Sequence, residues 1–130
     1  MNTSPFNDPR NAYLNAAVTT AGPAQLLVML CERLVLDVQR ALDALRAGAY
    51  DQTNRHLVHA QDIVVELRST LRVDSWEGAP TLAAIYDFLH LSLVRANVTK
   101  DAALCEKSLA IITDLCLTWR EAAEASARVA

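Results

Sequence analysis

The chain has 130 residues, enough for one domain, and 52% of them are hydrophobic although only 5% are aromatic. Its apolar mass is therefore Ala, Leu and Val, and three glycines and four prolines supply too little turn chemistry for a sheet of many short strands, so an all-α fold is expected. A net charge of −3 argues against a nucleic-acid partner, which usually demands a basic face, and disfavours an anionic membrane surface.

Residues 1–10 are polar and broken by Pro5 and Pro9, which reads as a flexible arm. No basic stretch followed by an apolar core opens the chain, so no cleavable signal is expected, and a cytoplasmic location is expected. The longest purely apolar run, Leu26 to Cys31, is far short of the ~20 residues of a membrane span, so no insertion is expected. An N-terminal cap segment over 11–20 carries Tyr13, Leu14 and Val18.

Gly22-Pro23 opens a long helix, because proline suits the first helical turn, where its missing N–H costs nothing. Leu27, Leu30, Leu34, Ala41 and Leu45 give it a core stripe; Val28, Cys31, Val35 and Leu42 form a second stripe beside the first. Gly48 ends it in the left-handed conformation. Asp51 is the expected cap of the next helix, which carries Leu57, Ala60, Val64, Leu67 and Leu71 to about Arg72. Residues 73–80 read as a loop broken by Gly78 and Pro80. The third helix, from Thr81 to about Ala96, has Ile85, Leu89, Leu93 and Ala96 on one stripe. Phe88, Leu91, Val94 and Val98 lie largely off it. Asn97 is the expected left-handed terminator and Asp101 the next cap. The last helix holds Leu104, Ile111, Leu115 and Trp119, and the tail 123–130 is expected to fray.

Four helices of about 16–25 residues joined by loops of about two to eight make neighbours antiparallel. The expected fold is an up-down four-helix bundle over 22–122 with a short N-terminal helical segment.

Little in the sequence suggests catalysis, a metal or a cofactor. His56, His59 and Asp62 recur every third residue, which can bring ligands together, but no second cluster completes a shell, and a solvated polar face explains them better. The Glu-x-x-His pairs of di-iron bundles, GxSxG, GxGxxG and the P-loop pattern are all absent. No enzyme is expected. Cys31, Cys105 and Cys116 include no CxxC pair, and each reads as a small buried apolar residue. Cys105 and Cys116 stand ~16 Å apart along one helix, too far for a disulfide.

The surplus apolar stripes need an explanation. Homo-oligomerisation, tighter packing among the segments, and a groove for an amphipathic helix of another protein each supply one. Trp76-Glu77-Gly78 between two helices also resembles the turn of small secreted helical hairpins.

Five blocks in order resemble one family. Tyr13 matches an N-terminal tyrosine. "TAGPAQLLVMLC" (20–31) matches a Thr-Ala-x-Pro-x-x-Leu helix start followed by Met-Leu-Tyr. "HAQDIVVEL" (59–67) matches Lys-Ala-Gln-Asp/Asn-Ile-Ile-x-x-Leu. "IYDFLHLSLVRANVTKD" (85–101) matches Leu-Tyr-Asp-Tyr-Met with a later Leu-x-x-Ala-Asn and Lys/Asn-Asp. Trp119-Arg120 matches a terminal Trp-Lys/Arg. The chain is thus similar to the flagellin export chaperones (FliS-type) from about Tyr13 to Trp119. It departs at Cys31, where the family has tyrosine, at Glu32-Arg33 in place of Asp/Asn-Gly, and at Leu91-Ser92 in place of an Arg-Arg pair.

The resemblance implies a cytoplasmic chaperone without cofactor. It would bind the C-terminal segment of flagellin, prevent premature polymerisation and aid delivery to a flagellar export gate component. It also implies that the N-terminal segment with Tyr13 covers the binding surface when no client is present. Candidate partner-binding residues are Tyr13, Val18, Val28, Cys31, Val35, Tyr86, Phe88, Leu91 and Asn97. Tyr86 and Phe88 fit either the groove or the core. The rival readings are a structural helical homodimer or adaptor, in which the surplus faces meet, and the secreted Trp-x-Gly type; a homodimer in the absence of client is compatible with the chaperone.

Overall fold

The computed structural model describes residues 23–129 of the chain, with side-chain surroundings from Ala24 to Ala125. The expected N-terminal segment, with Tyr13 and Val18, lies outside the described residues. Four helices follow one another: α1 (Pro23–Arg46), α2 (Tyr50–Thr70), α3 (Ala79–Thr99) and α4 (Ala102–Val129). α1 packs on α2 and α4, and α3 closes the ring between them, with its thinnest seam against α4. Cross-links show the antiparallel order. Glu32 and Arg120, 3.0 Å apart, join the start of α1 to the late part of α4. Arg46 and Glu106 join their opposite ends.

Local chemistry fixes the boundaries. Pro23 is the first residue of α1, and Gly48, at φ 75°, ends it, with the Ala49 amide donating to the Ala44 carbonyl at 2.8 Å. Asp51 does not cap α2: the cap position is Ala49, whose carbonyl accepts from the Thr53 hydroxyl at 3.2 Å, and Asp51 sits in the first turn facing the helix dipole. α3 starts at Ala79, so Pro80 lies inside its first turn and is no breaker there. α3 also runs past Asn97. The left-handed terminator is Lys100, at φ 51°, and the Lys100 ammonium donates to the Asn97 carbonyl at 2.7 Å. Asp101 caps α4 as expected, its carboxylate accepting from the Leu104 amide at 3.2 Å. α4 remains helical to Val129, through the stretch expected to fray.

The core holds Leu34, Val38 and Ala41 of α1, Leu57, Val64 and Leu67 of α2, Leu89, Leu93 and Ala96 of α3, and Cys105, Ile112 and Cys116 of α4. Both stripes of α1 are used. Val28, Cys31 and Leu42 of the second stripe are buried, whereas Leu27 and Leu30 of the first are only half-buried. The reason is position: α1 has a neighbour on each side, so its apolar arc spans two seams. On α3 the surplus stays outside, because Phe88, Leu91 and Val98 lie opposite the core line.

The α2–α3 outer groove as candidate partner-binding site

α2 and α3 are tied near both ends of their outer seam. Asn97 Nδ2 donates to Asn54 Oδ1 at 2.8 Å, and Arg68 Nε donates to Asp87 Oδ1 at 3.1 Å. Ten residues of α3 separate the two ties, a run of ~15 Å, or about three helical turns. Between and beside them stand exposed apolar side chains. Val58 and Val65 on α2 are seven residues apart, as are Leu91 and Val98 on α3, so each pair forms a line along its helix. Val65 is 52% exposed, Leu91 48%, Val98 78% and Phe88 56%, so together they offer apolar surface along this seam.

At the Arg68 end the groove deepens into a hollow of about 420 Å³, lined by Val64, Val65, Arg68, Asp87 and His90 above a floor of Tyr86. A second hollow of about 270 Å³ opens at the end of the bundle, between Leu27, Leu71, Trp76, Leu82 and Trp119. Tyr86 reaches both. Tyr86 is 1% exposed, and burial pushes its pKa up to about 12 despite the Trp119 indole beside it. The Trp119 Nε1 atom is buried without an aligned hydrogen-bond acceptor.

The nine candidate residues divide sharply. Phe88 and Leu91 are on the outer face of α3. Val28, Cys31 and Tyr86 are not surface residues: the first two fill the inner side of α1, and Tyr86 belongs to the core, touching the hollows only from below. Val35 is half-buried against the core. Asn97 is helical and serves as a tie to Asn54. Tyr13 and Val18 lie outside the described residues.

Sequence reading missed Val58, Val65, Trp76 and the Trp119 wall. For the valines the signal was present, a seven-residue repeat one residue on from Leu57 and Val64, about 100° round α2 from that core line. The hollow beside Trp76 depends on how the 71–78 loop folds back, which periodicity does not encode.

The thiols offer no chemistry. Burial raises Cys31 to about 12 and Cys105 to about 11, and Cys116 is also raised, so all three are protonated and unreactive near neutrality. Of the His56, His59, Asp62 series, His59 turns to the buried Asp37 of α1 while Asp62 faces solvent. Among the described residues no group of three or more His, Cys, Asp or Glu is placed to hold a metal ion. Nor is any described helix long and apolar enough to cross a membrane.

Comparison with known proteins decides the family. The family described as "Flagellar protein FliS" matches residues 6–126. The chain belongs to the FliS family. The flagellar secretion chaperone FliS of Bacillus subtilis (strain 168) is 29% identical over 117 residues, covering 90% of this chain and 87% of the relative. The flagellar secretion chaperone FliS of Vibrio cholerae serotype O1 is 24% identical over 111 residues, covering 85% and 82%. A solved structure described as a flagellar chaperone from bacteria shares the fold, with a TM-score of 0.73 at 18% identity over 90% of this chain and 98% of that one. Membership in the FliS family also removes the secreted-hairpin reading: Trp76-Glu77-Gly78 joins the second and third of the four described helices. Of the Leu91-Ser92 pair, Leu91 is exposed on the outer face and Ser92 is buried.

Proposed function

We propose that the chain is a flagellar export chaperone whose client is flagellin, bound through the C-terminal segment of the client along the outer face of α2 and α3. The observation that carries this reading is the pair of exposed apolar lines, Val58–Val65 and Leu91–Val98, flanking one seam. A short amphipathic helix laid between them would bury its own apolar face on both. A client that orders on binding must bury a large area, typically ~1,000–3,000 Å², and the groove, its hollow and the neighbouring Phe88 supply a continuous start to it. At roughly 25 cal/mol per Å² such burial outweighs the ordering cost and leaves affinity to spare.

In this reading the chaperone holds flagellin unpolymerised in the cytoplasm and hands it to a component of the export gate. The segment with Tyr13 and Val18 covers apolar surface until the client displaces it. Neither catalysis nor a cofactor enters. The test is titration of the full chain with a flagellin C-terminal peptide, followed by calorimetry and by the fluorescence of Trp76 beside the second hollow. A saturable one-to-one complex is expected; no heat and no fluorescence change at high micromolar peptide would refute the client assignment.

A further inference from the structure

Both tryptophans of the chain, Trp76 and Trp119, line the hollow of about 270 Å³ at the end of the bundle, together with Tyr86 and Arg72. Trp, Tyr and Arg are the side chains that most often dominate the energy of an interface. Leu67 and Leu82 give the hollow a buried apolar base. Its hydroxyls are already spent: Thr70 donates to the Leu67 carbonyl at 3.1 Å, and Ser75 donates to the Arg72 carbonyl. The groups left without a partner among the described residues are donors. Arg72 is exposed and makes no ion pair, and Trp119 Nε1 has no aligned acceptor. Asp74 and Glu77, the acids nearest in sequence, line neither hollow.

We infer, on the basis of the flagellin assignment, that this hollow is a second anchor for the client: it takes a large apolar side chain, and Arg72 pairs with an Asp or Glu carboxylate of the client beside that side chain. Tyr86 makes the hollow continuous with the α2–α3 groove, since it floors the groove's own hollow and also lines this one. Arg68, at the groove's deep end, and Arg72 are only four residues apart, so a segment that passes the first comes next to the second. An acid suits the place and a base does not. Apolar walls strengthen a charge-assisted bond to the guanidinium, whereas a client lysine there meets a like charge. The two sites thus divide the work. The exposed lines of α2 and α3 supply apolar area, and the hollow selects a client by its acid.

Titration of the full chain with a tryptophan-free flagellin C-terminal peptide tests this, because tryptophan emission then reads this hollow alone while calorimetry reads all binding. Emission should change saturably, with the same midpoint as the heat. Arg72→Glu, at an exposed position and checked by helical CD, should weaken binding by about tenfold or more. Among peptides with one Asp or Glu at a time replaced by Lys, one should bind the natural chain poorly and Arg72→Glu well. Heat with unmoved emission, an Arg72→Glu protein that binds like the natural chain, or a peptide series without that reversal would overturn the anchor and leave the flagellin assignment standing. No binding to the natural chain would overturn both. Emission that shifts when residues 1–18 are deleted, but not when peptide is added, would assign the hollow to the chain's own N-terminal segment and overturn the anchor as well.

Discussion

The indole of Trp76 lies across the backbone of Gly78, in the space where a Cβ on residue 78 would sit. Gly78 has φ −83°, so its backbone suits any residue; what glycine provides is room for the ring that walls the second hollow. Gly78→Ala should therefore leave the helices and most of the stability intact, with a change below about 1 kcal/mol. Trp76 must swing away, and its fluorescence should shift to the red. An unmoved Trp76 spectrum would contradict this packing.

Asp37 of α1 is buried, and its carboxylate meets His59 of α2, while Arg33 Nε stands 3.2 Å from the other oxygen without hydrogen-bond alignment. A buried carboxylate that loses its donor costs more than a pair removed together. His59→Ala should lose about 1–2 kcal/mol in urea unfolding, and Asp37→Leu added to it should recover most of that loss. Simple additivity of the two substitutions would show that the contact contributes nothing.

Cys31, Cys105 and Tyr86 hold their protons to about 12, 11 and 12 in the folded chain, against ordinary values of 9.0 for the thiols and 10.0 for the phenol, because burial disfavours their anions. The unfolded chain releases these protons first, so above about pH 9 it binds fewer of them and stability falls as pH rises toward 12. Below about pH 9 the contribution is fully present. Urea midpoints should drop between pH 8 and pH 10.5, and iodoacetamide at pH 8 should label the cysteines only once urea unfolds the bundle. Rapid labelling of the native protein would contradict the burial.

If the segment with Tyr13 is only a cover, deleting residues 1–18 should leave peptide affinity unchanged or raise it, since a competing occupant is gone. A sharp loss measured by calorimetry would instead give Tyr13 a direct contact with the client.

Much of this architecture is legible in the sequence because it rests on local rules. Pro23, Gly48 and Asp101 mark helix ends through backbone chemistry, and the Leu89–Leu93–Ala96 stripe follows helical period alone. Asn97 and Lys100 show the limit: both can terminate a helix, and in the fold Asn97 stays helical, bonded to Asn54, while Lys100 takes the left-handed conformation. The candidate site is half legible for a related reason. The second apolar stripe of α1 lies beside its core stripe and falls within the seams with α2 and α4, whereas Phe88, Leu91 and Val98 lie opposite the core line of α3. Cys31 therefore goes inside and Leu91 outside, a difference set by the angle between the two stripes on each helix.

The central claim is that an apolar client completes the outer face of α2 and α3. Leu91→Asp tests it most directly, because the side chain is exposed and its replacement should change stability by no more than about 0.5 kcal/mol. Calorimetric titration with the flagellin C-terminal peptide should then show affinity reduced by about tenfold or more, with helical CD and urea midpoint preserved. Unchanged affinity in a folded Leu91→Asp protein would contradict the account.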